Sequence, residues 1–179
     1  MAIDWYAVAR DIGALKSDGS EQIAGTHAGR RALELLLGEE NIRHAVDHWA
    51  DQKPGEFTAE AVLLIISSTV AMERCYEIYK NDPMSPRAGA AVFLLSEMAD
   101  SRALAWMREL MQDKSVHIRW NGVMALGRIL AGPLNDEGIA IAKELLINAE
   151  TDPEERLRER ATEIRRRLAS DPTLGHLGL

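Results

Sequence analysis

The stretch DKSVHIRWNGVMALGRIL, residues 113–130, decides how the chain is interpreted. Its apolar residues recur at intervals of three and four positions, which is typical of one buried face of an α-helix. An Arg-Trp-Asn-Gly cluster at 119–122 interrupts that face with polar and small residues. Such a cluster marks either a functional site or a position that the fold repeats, and the neighbouring sequence distinguishes the two.

The cluster at 119–122 has counterparts on both sides. Arg87-Ala-Gly-Ala90 and Arg158-Glu-Arg-Ala161 share its order of an arginine, two further residues and a small residue. The three arginines are 32 and 39 positions apart, and an aspartate precedes each of them by five or six positions. Self-similarity at this interval among helical segments indicates repeated helical hairpins.

Most other segments also have helical period, and strict alternation is almost absent, so the sequence predicts an all-α fold. Breaks at Gly38, at Pro54-Gly55 and at Ser67-Ser68-Thr69 predict four helices between residues 26 and 80, arranged as two hairpins. Two prolines in the segment 81–86 end this part of the chain. The residues predicted to form the core are Leu33, Leu36, Val46, Trp49, Leu63, Ile66, Leu95, Met107, Val123, Leu126, Leu145 and Ile164.

Length and composition predict one domain, 1–179, made of helical repeats. A chain of 179 residues is long enough to bury a core without disulfides or metals. Cys75 is the one cysteine, and no charged-then-apolar leader precedes Asp4, so we expect a cytoplasmic protein. The longest uncharged run, 61–72, has twelve residues against the ~20 that span a bilayer, which predicts a core helix.

Charge is distributed unevenly along the chain. The net charge is −7, with sixteen acids and nine bases in residues 1–100 and twelve of each in residues 101–179. Nucleic acids bind through clustered lysines and arginines, so an acidic first half argues against a nucleic-acid partner. A protein with a basic surface fits this field better, and no membrane partner is expected.

Two stretches resemble a known family. Residues 113–127 and 152–161 each have an aspartate turn, then an arginine, then small and apolar residues. This order resembles the HEAT repeats, an armadillo-like family of helical hairpins. The resemblance is clearest over 82–169, whereas hairpins in 1–80 are expected from periodicity alone. It implies a short right-handed α-solenoid of antiparallel helix hairpins.

The resemblance also implies a role for the polar cluster at 119–122. In HEAT repeats the aspartates and arginines form a ladder between units, and small residues let helices approach closely. Arg119 and Gly122 are then joints between neighbouring repeats, with Asp113 or Asp152 as the partner of Arg119.

Three patterns imitate catalytic or ligand-binding motifs. Residues 122–127 have the glycine spacing of a phosphate loop but lack the following Lys and Ser/Thr and a preceding strand. His44 and His48 lie four positions apart, which suits either a metal site or an ordinary solvated helix face. Cys75 has no identifiable histidine or asparagine partner. We therefore predict no catalytic residues, no metal and no cofactor, and hence a non-enzymatic protein.

The remaining features indicate recognition. Acids with few neighbouring bases crowd the segment 39–56, and we predict that they contact a basic partner. Trp106 lies at the edge of the apolar arc of a helix over 102–111, so its ring is either a partly exposed interface anchor or is buried against the next helix. The predicted partner-binding residues are Glu39, Glu40, Asp47, Asp51, Glu56 and Trp106.

Four classes of function remain open at this point. The first is a protein-binding module, in its sharpest form an immunity-type inhibitor that neutralises a basic toxin. The second is a chaperone-like or lyase-like HEAT protein that handles the pigment of phycobiliproteins, and the third is a structural subunit of a larger complex. A HEAT-like DNA glycosylase is the fourth, and the charge of −7 argues against it.

Overall fold

The computed structural model describes residues 3–16 and 25–171. Over these ranges it contains α-helices, one short 3-10 helix at Ser101–Ala103 and no strand, so the all-α prediction is confirmed. The helices are α1 (Trp5–Asp11), α2 (Gly25–Ala50), α3 (Glu56–Ile66), α4 (Thr69–Asn81), α5 (Pro86–Met98), α6 (Leu104–Met111), α7 (Val116–Ala131), α8 (Asp136–Ala149) and α9 (Glu155–Ala169).

The chain divides into two compact units, Met1–Ala71 and Met72–Leu179, which we call unit 1 and unit 2. Unit 1 contains α1, α2 and α3, and unit 2 begins inside α4. The single domain over 1–179 stays a prediction.

Unit 1 is shaped by two left-handed glycines. Gly38 has φ 72° and ψ 157°, a non-helical conformation that divides α2 into two helical parts, so the break predicted there is present. Gly55, with φ 95°, precedes α3 and lets the chain turn back after α2. Only glycine adopts such angles without steric cost. The second part of α2 then packs against α3, and the indole of Trp49 and the ring of Phe57 meet edge to face at 6.0 Å.

The break predicted at residues 67–69 is also present. Ser67 ends α3 in a left-handed conformation with φ 45°, and its hydroxyl donates to the carbonyl of Leu64 at 3.3 Å. The hydroxyl of Ser68 accepts from the backbone N–H of Ala71 at 3.1 Å, which caps the start of α4. Serine pairs favour caps over helix interiors because their hydroxyls compete for backbone groups.

Part of the predicted core of unit 1 is wrong. Val46, Leu63 and Ile66 are buried, but Leu33 and Leu36 are 44% and 42% exposed. The first part of α2 carries apolar residues with helical period, yet none of its described side chains, from residue 28 to 37, is buried. Periodicity reports that a helix has an apolar face, but another element must cover that face before it becomes core.

Unit 2 is a two-layered stack of hairpins, as a short α-solenoid requires. Helices α6 and α8 contact each other in one layer, and α7 contacts both α5 and α9 in the other. The pairs α6–α7 and α8–α9 pack as hairpins between the layers. The predicted core residues of this unit are all buried: Leu95, Met107, Val123, Leu126, Leu145 and Ile164.

Glycines in α7 allow two close helix contacts. A Cβ on Gly122 would lie 2.8 Å from Cγ of Met111, at the end of α6. A Cβ on Gly127 would lie 3.1 Å from Cδ1 of Ile164 on α9. Small residues therefore let helices approach, as predicted, but Gly122 acts within one hairpin and Gly127 acts between hairpins.

The ladder implied by the resemblance is present at Arg119. Its Nε donates to Oδ2 of Asp152 at 2.7 Å, and a second guanidinium nitrogen donates to Oδ1 at 3.0 Å. The remaining nitrogen donates to the backbone carbonyls of Asp113 and Lys114 at 3.0 and 3.2 Å. Arg119 therefore joins α7 to the turn of the next hairpin and also closes its own turn.

The turn geometry recurs one hairpin later. Arg158 donates to the carbonyls of Asp152 and Pro153 at 2.7 and 3.0 Å, the same six- and five-residue offsets as for Arg119. The carboxylate of each aspartate accepts from the backbone N–H two residues on, at Ser115 and at Glu154. The polar cluster that interrupts the apolar face is thus a repeated structural device.

Candidate protein-binding surface

The five acids that the sequence predicts to bind a partner all lie in unit 1, on α2, α3 and the turn between them. We call Glu39, Glu40, Asp47, Asp51 and Glu56 the acidic segment. Its members Glu39, Glu40 and Asp51 are exposed, whereas Asp47 and Glu56 are partly buried. The structure therefore brings these predicted residues into one helical hairpin.

Glu40 and Asp47 lie on a different side of α2 from its buried residues. Ile42, Val46 and Ala50 recur every four positions and are buried, which marks the face against α3. At 100° per residue, Glu40 and Asp47 lie about 100–140° around the helix from that face. The apolar face thus anchors the helix while the acidic side is directed outward.

Two bases lie beside the acidic segment. Arg43 pairs with Glu39 one helical turn away at 3.6 Å, and Lys53 pairs with Asp51 at 2.7 Å. Exposed pairs of this kind contribute about 0–1 kcal/mol and leave the summed charge as the main effect. Unit 1 has eleven acids against six bases, so its field stays negative.

The two histidines of α2 lie near each other and near the turn that follows the helix. The ring centroids of His44 and His48 are 6.3 Å apart, and Nε2 of His48 lies 3.0 Å from the carbonyl oxygen of Pro54. A carbonyl only accepts, so that nitrogen carries the hydrogen and ties α2 to the turn. Across the described ranges, no three His, Cys, Asp or Glu side chains are grouped so as to hold a metal ion.

Trp106 lies in unit 2, where it stacks on Tyr76 of α4. The ring centroids are 5.0 Å apart with an interplanar angle of 14°, and both side chains are partly exposed. Of the two alternatives left open for Trp106, the structure has the partly exposed ring, and its role as an anchor stays a prediction. The contact with Tyr76 was missed, because residues thirty positions apart have no spacing that relates them.

Hydrogen bonds to Glu109 hold the Tyr76 hydroxyl at the edge of this aromatic pair. The Tyr76 hydroxyl donates to Oε2 of Glu109 at 2.5 Å, and Lys80 donates to Oε1 at 2.7 Å. Burial and the Glu109 carboxylate raise the pKa of Tyr76 to about 12. Hydrogen bonds from Lys80 and Tyr76 lower the pKa of Glu109. These hydrogen bonds thus hold the Tyr76 hydroxyl at Glu109, beside the ring that stacks on Trp106.

A small cleft lies between α7 and α9. It has a volume of about 210 Å³, and its lining includes Met124, Ile164, Arg128 and Arg160. Arg128 pairs with Glu97, and Arg160 pairs with Glu163. The first ion pair joins α7 to α5, and the second lies within α9.

Sequence reasoning missed an apolar feature of α3. Phe57, Val62 and Ile65 are 70%, 40% and 56% exposed, and Ala61 is exposed as well. We call these four residues the α3 stripe. The signal was present in the spacing 57, 61, 65, but an apolar stripe in a sequence is ordinarily assigned to the core.

Comparison with known proteins gives one result. A family model described as HEAT repeats matches residues 75–165, just over half of the chain. No curated protein and no solved structure matches significantly. No helix among the described residues is long and apolar enough to cross a membrane. The matched residues hold the hairpins α5 to α9 with their Asp–Arg turns, and the chain belongs to the HEAT-repeat family.

Proposed function

We propose that this protein is a non-enzymatic binding module whose acidic segment contacts a basic surface of another protein. HEAT repeats generally mediate protein–protein interaction and are generally non-enzymatic scaffolds. The observation that carries the proposal is the acidic segment itself, five acids within one hairpin of a unit that has eleven acids and six bases.

Electrostatics gives the acidic segment a physical role. A surface with one sign of charge attracts a partner of the opposite sign, raises the rate of encounter and disfavours partners of like charge. Glu39 and Glu40 are exposed and start the second part of α2, directly after the kink at Gly38. Their carboxylates are therefore displayed on a rigid helix, which limits the entropy lost when a partner binds.

The shifted pKa values of the described residues support a structural rather than a catalytic use of those groups. Tyr79 donates to Asp113, Arg108 pairs with Glu144, and Arg119 pairs with Asp152. Each pair joins two helices or a helix and a turn of unit 2. Strongly perturbed groups in clefts indicate catalysis, but interhelical pairs perturb pKa values equally well.

The sharpest version of the proposal is an immunity-type inhibitor of a basic toxin. An inhibitor of this type must bind a cationic protein quickly, and a negative field accelerates that encounter. Trp106, partly exposed over Tyr76, would supply an apolar anchor, since tryptophan is enriched at the centres of interfaces.

Charge reversal with a matched control tests the proposal. Glu39, Glu40, Asp47 and Asp51 are replaced together by Lys, and a control replaces Glu73, Glu137, Glu155 and Glu159, which are exposed acids of unit 2. Both variants have the same net charge. The partner is captured from lysate at low salt, where attraction between exposed charges is strongest.

We expect the unit 1 variant to lose the partner and the unit 2 variant to retain it. Equal capture by both variants would exclude the acidic segment as the interface. For the inhibitor version, the captured protein must be a basic toxin whose activity falls on addition of the unmodified chain. Capture of a protein with an acidic surface contradicts the whole proposal.

A further inference from the structure

The α3 stripe is a continuous apolar surface rather than a set of scattered residues. At 100° per residue its four members fall within an arc of about 140°, and Phe57 and Ile65 are about 12 Å apart along the helix axis. Phe57 is 70% exposed and Ile65 is 56% exposed. Single exposed apolar residues need no explanation, but a contiguous patch marks an interaction site.

Apart from Phe57, whose ring also contacts Trp49 of α2, the stripe is separate from the face that holds α3 in unit 1. Leu63 and Ile66 are buried, and α3 packs against α2. Ile147 on α8 gives a useful contrast, because it is also 56% exposed but its neighbours one turn before it on the helix surface are Lys143 and Glu144. Ile65 and Ile147 are thus equally exposed, but Ile65 has apolar neighbours and Ile147 has charged ones.

The charges near the stripe favour a binding partner that carries basic residues. Glu56 directly precedes Phe57, and the Phe57 ring contacts Trp49, which lies between Asp47 and Asp51 on the chain. The stripe therefore begins beside Glu56, the last residue of the acidic segment. A second copy of this chain would place acids opposite acids, which costs energy at an interface, whereas lysines and arginines would find opposite charges.

We propose that the α3 stripe docks an amphipathic α-helix of the partner, with an apolar face flanked by lysine or arginine. This inference rests on the proposed function and names the partner's binding element. A helix is the favoured shape because two helices pack side by side at 8–10 Å by inserting rows of side chains between one another. Apolar partner residues at helical spacing would cover Phe57 and Ile65, and basic residues would face Glu56 and Asp51.

The test uses two synthetic peptides as probes. Each has about 18 residues, enough for a helix longer than the stripe, with leucine at positions i, i+3, i+4 and i+7. The other positions are mainly lysine in the basic probe and mainly glutamate in the acidic probe. Binding of each fluorescently labelled probe is titrated with the full chain, with Ile65→Ser and Ile65→Lys, and with the matched controls Ile147→Ser and Ile147→Lys.

We expect the basic probe to bind the full chain and the Ile147 variants equally, and the Ile65 variants on the order of tenfold more weakly. Circular dichroism and thermal melting confirm that each variant is folded, which is expected because both isoleucines are exposed. Equal binding by the Ile65 and Ile147 variants overturns the inference, even if the basic probe is preferred over the acidic one.

A different result is expected if the proposed function fails, that is, if the protein does not prefer a basic partner. If the acidic probe binds as tightly as the basic probe while Ile65→Ser still weakens binding, the stripe docks a helix but the preference for a basic partner is wrong. Analytical ultracentrifugation tests the remaining alternative, in which a second copy of this chain covers the stripe. Self-association of the full chain that Ile65→Lys abolishes would make a second copy the occupant and overturn the inference.

Discussion

Arg119 and Asp152 form a two-pronged ion pair that joins α7 to the turn of the following hairpin, with N–O distances of 2.7 and 3.0 Å. The two side chains are only 11% and 8% exposed. The planar guanidinium matches the carboxylate geometry, and its third nitrogen holds the backbone of its own turn at Asp113. One residue thus sets both the turn within a hairpin and the register between hairpins.

Replacing Arg119 with Ala is expected to destabilise the protein by about 1–3 kcal/mol, because Asp152 and two turn carbonyls lose their donor while largely buried. Chemical denaturation measures this change. Arg108→Ala is the control, since its ion pair with Glu144 is half exposed and its loss should change stability little. Unchanged stability of Arg119→Ala together with lost partner binding would assign Arg119 to a binding site instead.

The same pair predicts a dependence of stability on acid pH. Burial raises the pKa of Asp152, but hydrogen bonds from Arg119 and from the Glu154 N–H outweigh it and lower the pKa below its ordinary value. A lowered folded-state pKa contributes stability above the unfolded-state pKa of about 3.9 and loses it as the pH falls further. The difference in the free energy of unfolding between the full chain and Asp152→Asn should therefore become smaller below about pH 4. A difference that is constant from pH 7 to pH 3 would show that Asp152 is not selectively stabilised as an anion.

The sequence was most informative where a feature depends on local backbone chemistry. The kink at Gly38, the break at Ser67 and the paired turns at Asp113 and Asp152 all follow from residues within a few positions of one another. The core of unit 2 was also predictable, because stacked hairpins bury every apolar face between neighbours.

Features that depend on which element covers a face were not predictable. Leu33 on α2 and Ile65 on α3 lie on apolar faces like those of the core, yet both are exposed. The candidate site was predicted only in part for the same reason. Exposure of the acids follows from their charge, whereas the α3 stripe and the stacking of Tyr76 on Trp106 depend on tertiary packing.

Adding one methyl group should distinguish the two kinds of glycine in unit 2. Gly122→Ala places a Cβ 2.8 Å from Cγ of Met111 and 3.4 Å from its backbone nitrogen, so the Met111 side chain must move or α6 and α7 must separate, and we expect a loss of about 1–3 kcal/mol. Gly89→Ala is the control, because its Cβ would lie 3.5 Å from the His117 ring, an ordinary contact. Since alanine favours helix over glycine, Gly89→Ala should stabilise α5 by up to about 1 kcal/mol. Equal effects of the two substitutions in thermal melts would show that α6 and α7 are not closely packed at Gly122.

The pKa of Tyr76 should report directly on the hydrogen bond between its hydroxyl and Glu109. Its pKa is raised to about 12 by burial and by Glu109, so Glu109→Gln, which removes the negative charge, should lower the pKa toward 10. A raised tyrosine pKa contributes stability that is complete below the unfolded-state pKa of about 10 and is lost as the pH rises through 12. Ultraviolet titration of phenolate, taken as the difference between the full chain and Tyr76→Phe, measures the shift. Glu144→Gln is the control, since it removes one negative charge from a carboxylate that pairs with Arg108 rather than with Tyr76. An unchanged Tyr76 pKa in Glu109→Gln would mean that Glu109 does not contact the hydroxyl and that Trp106 rests on a ring held by packing alone.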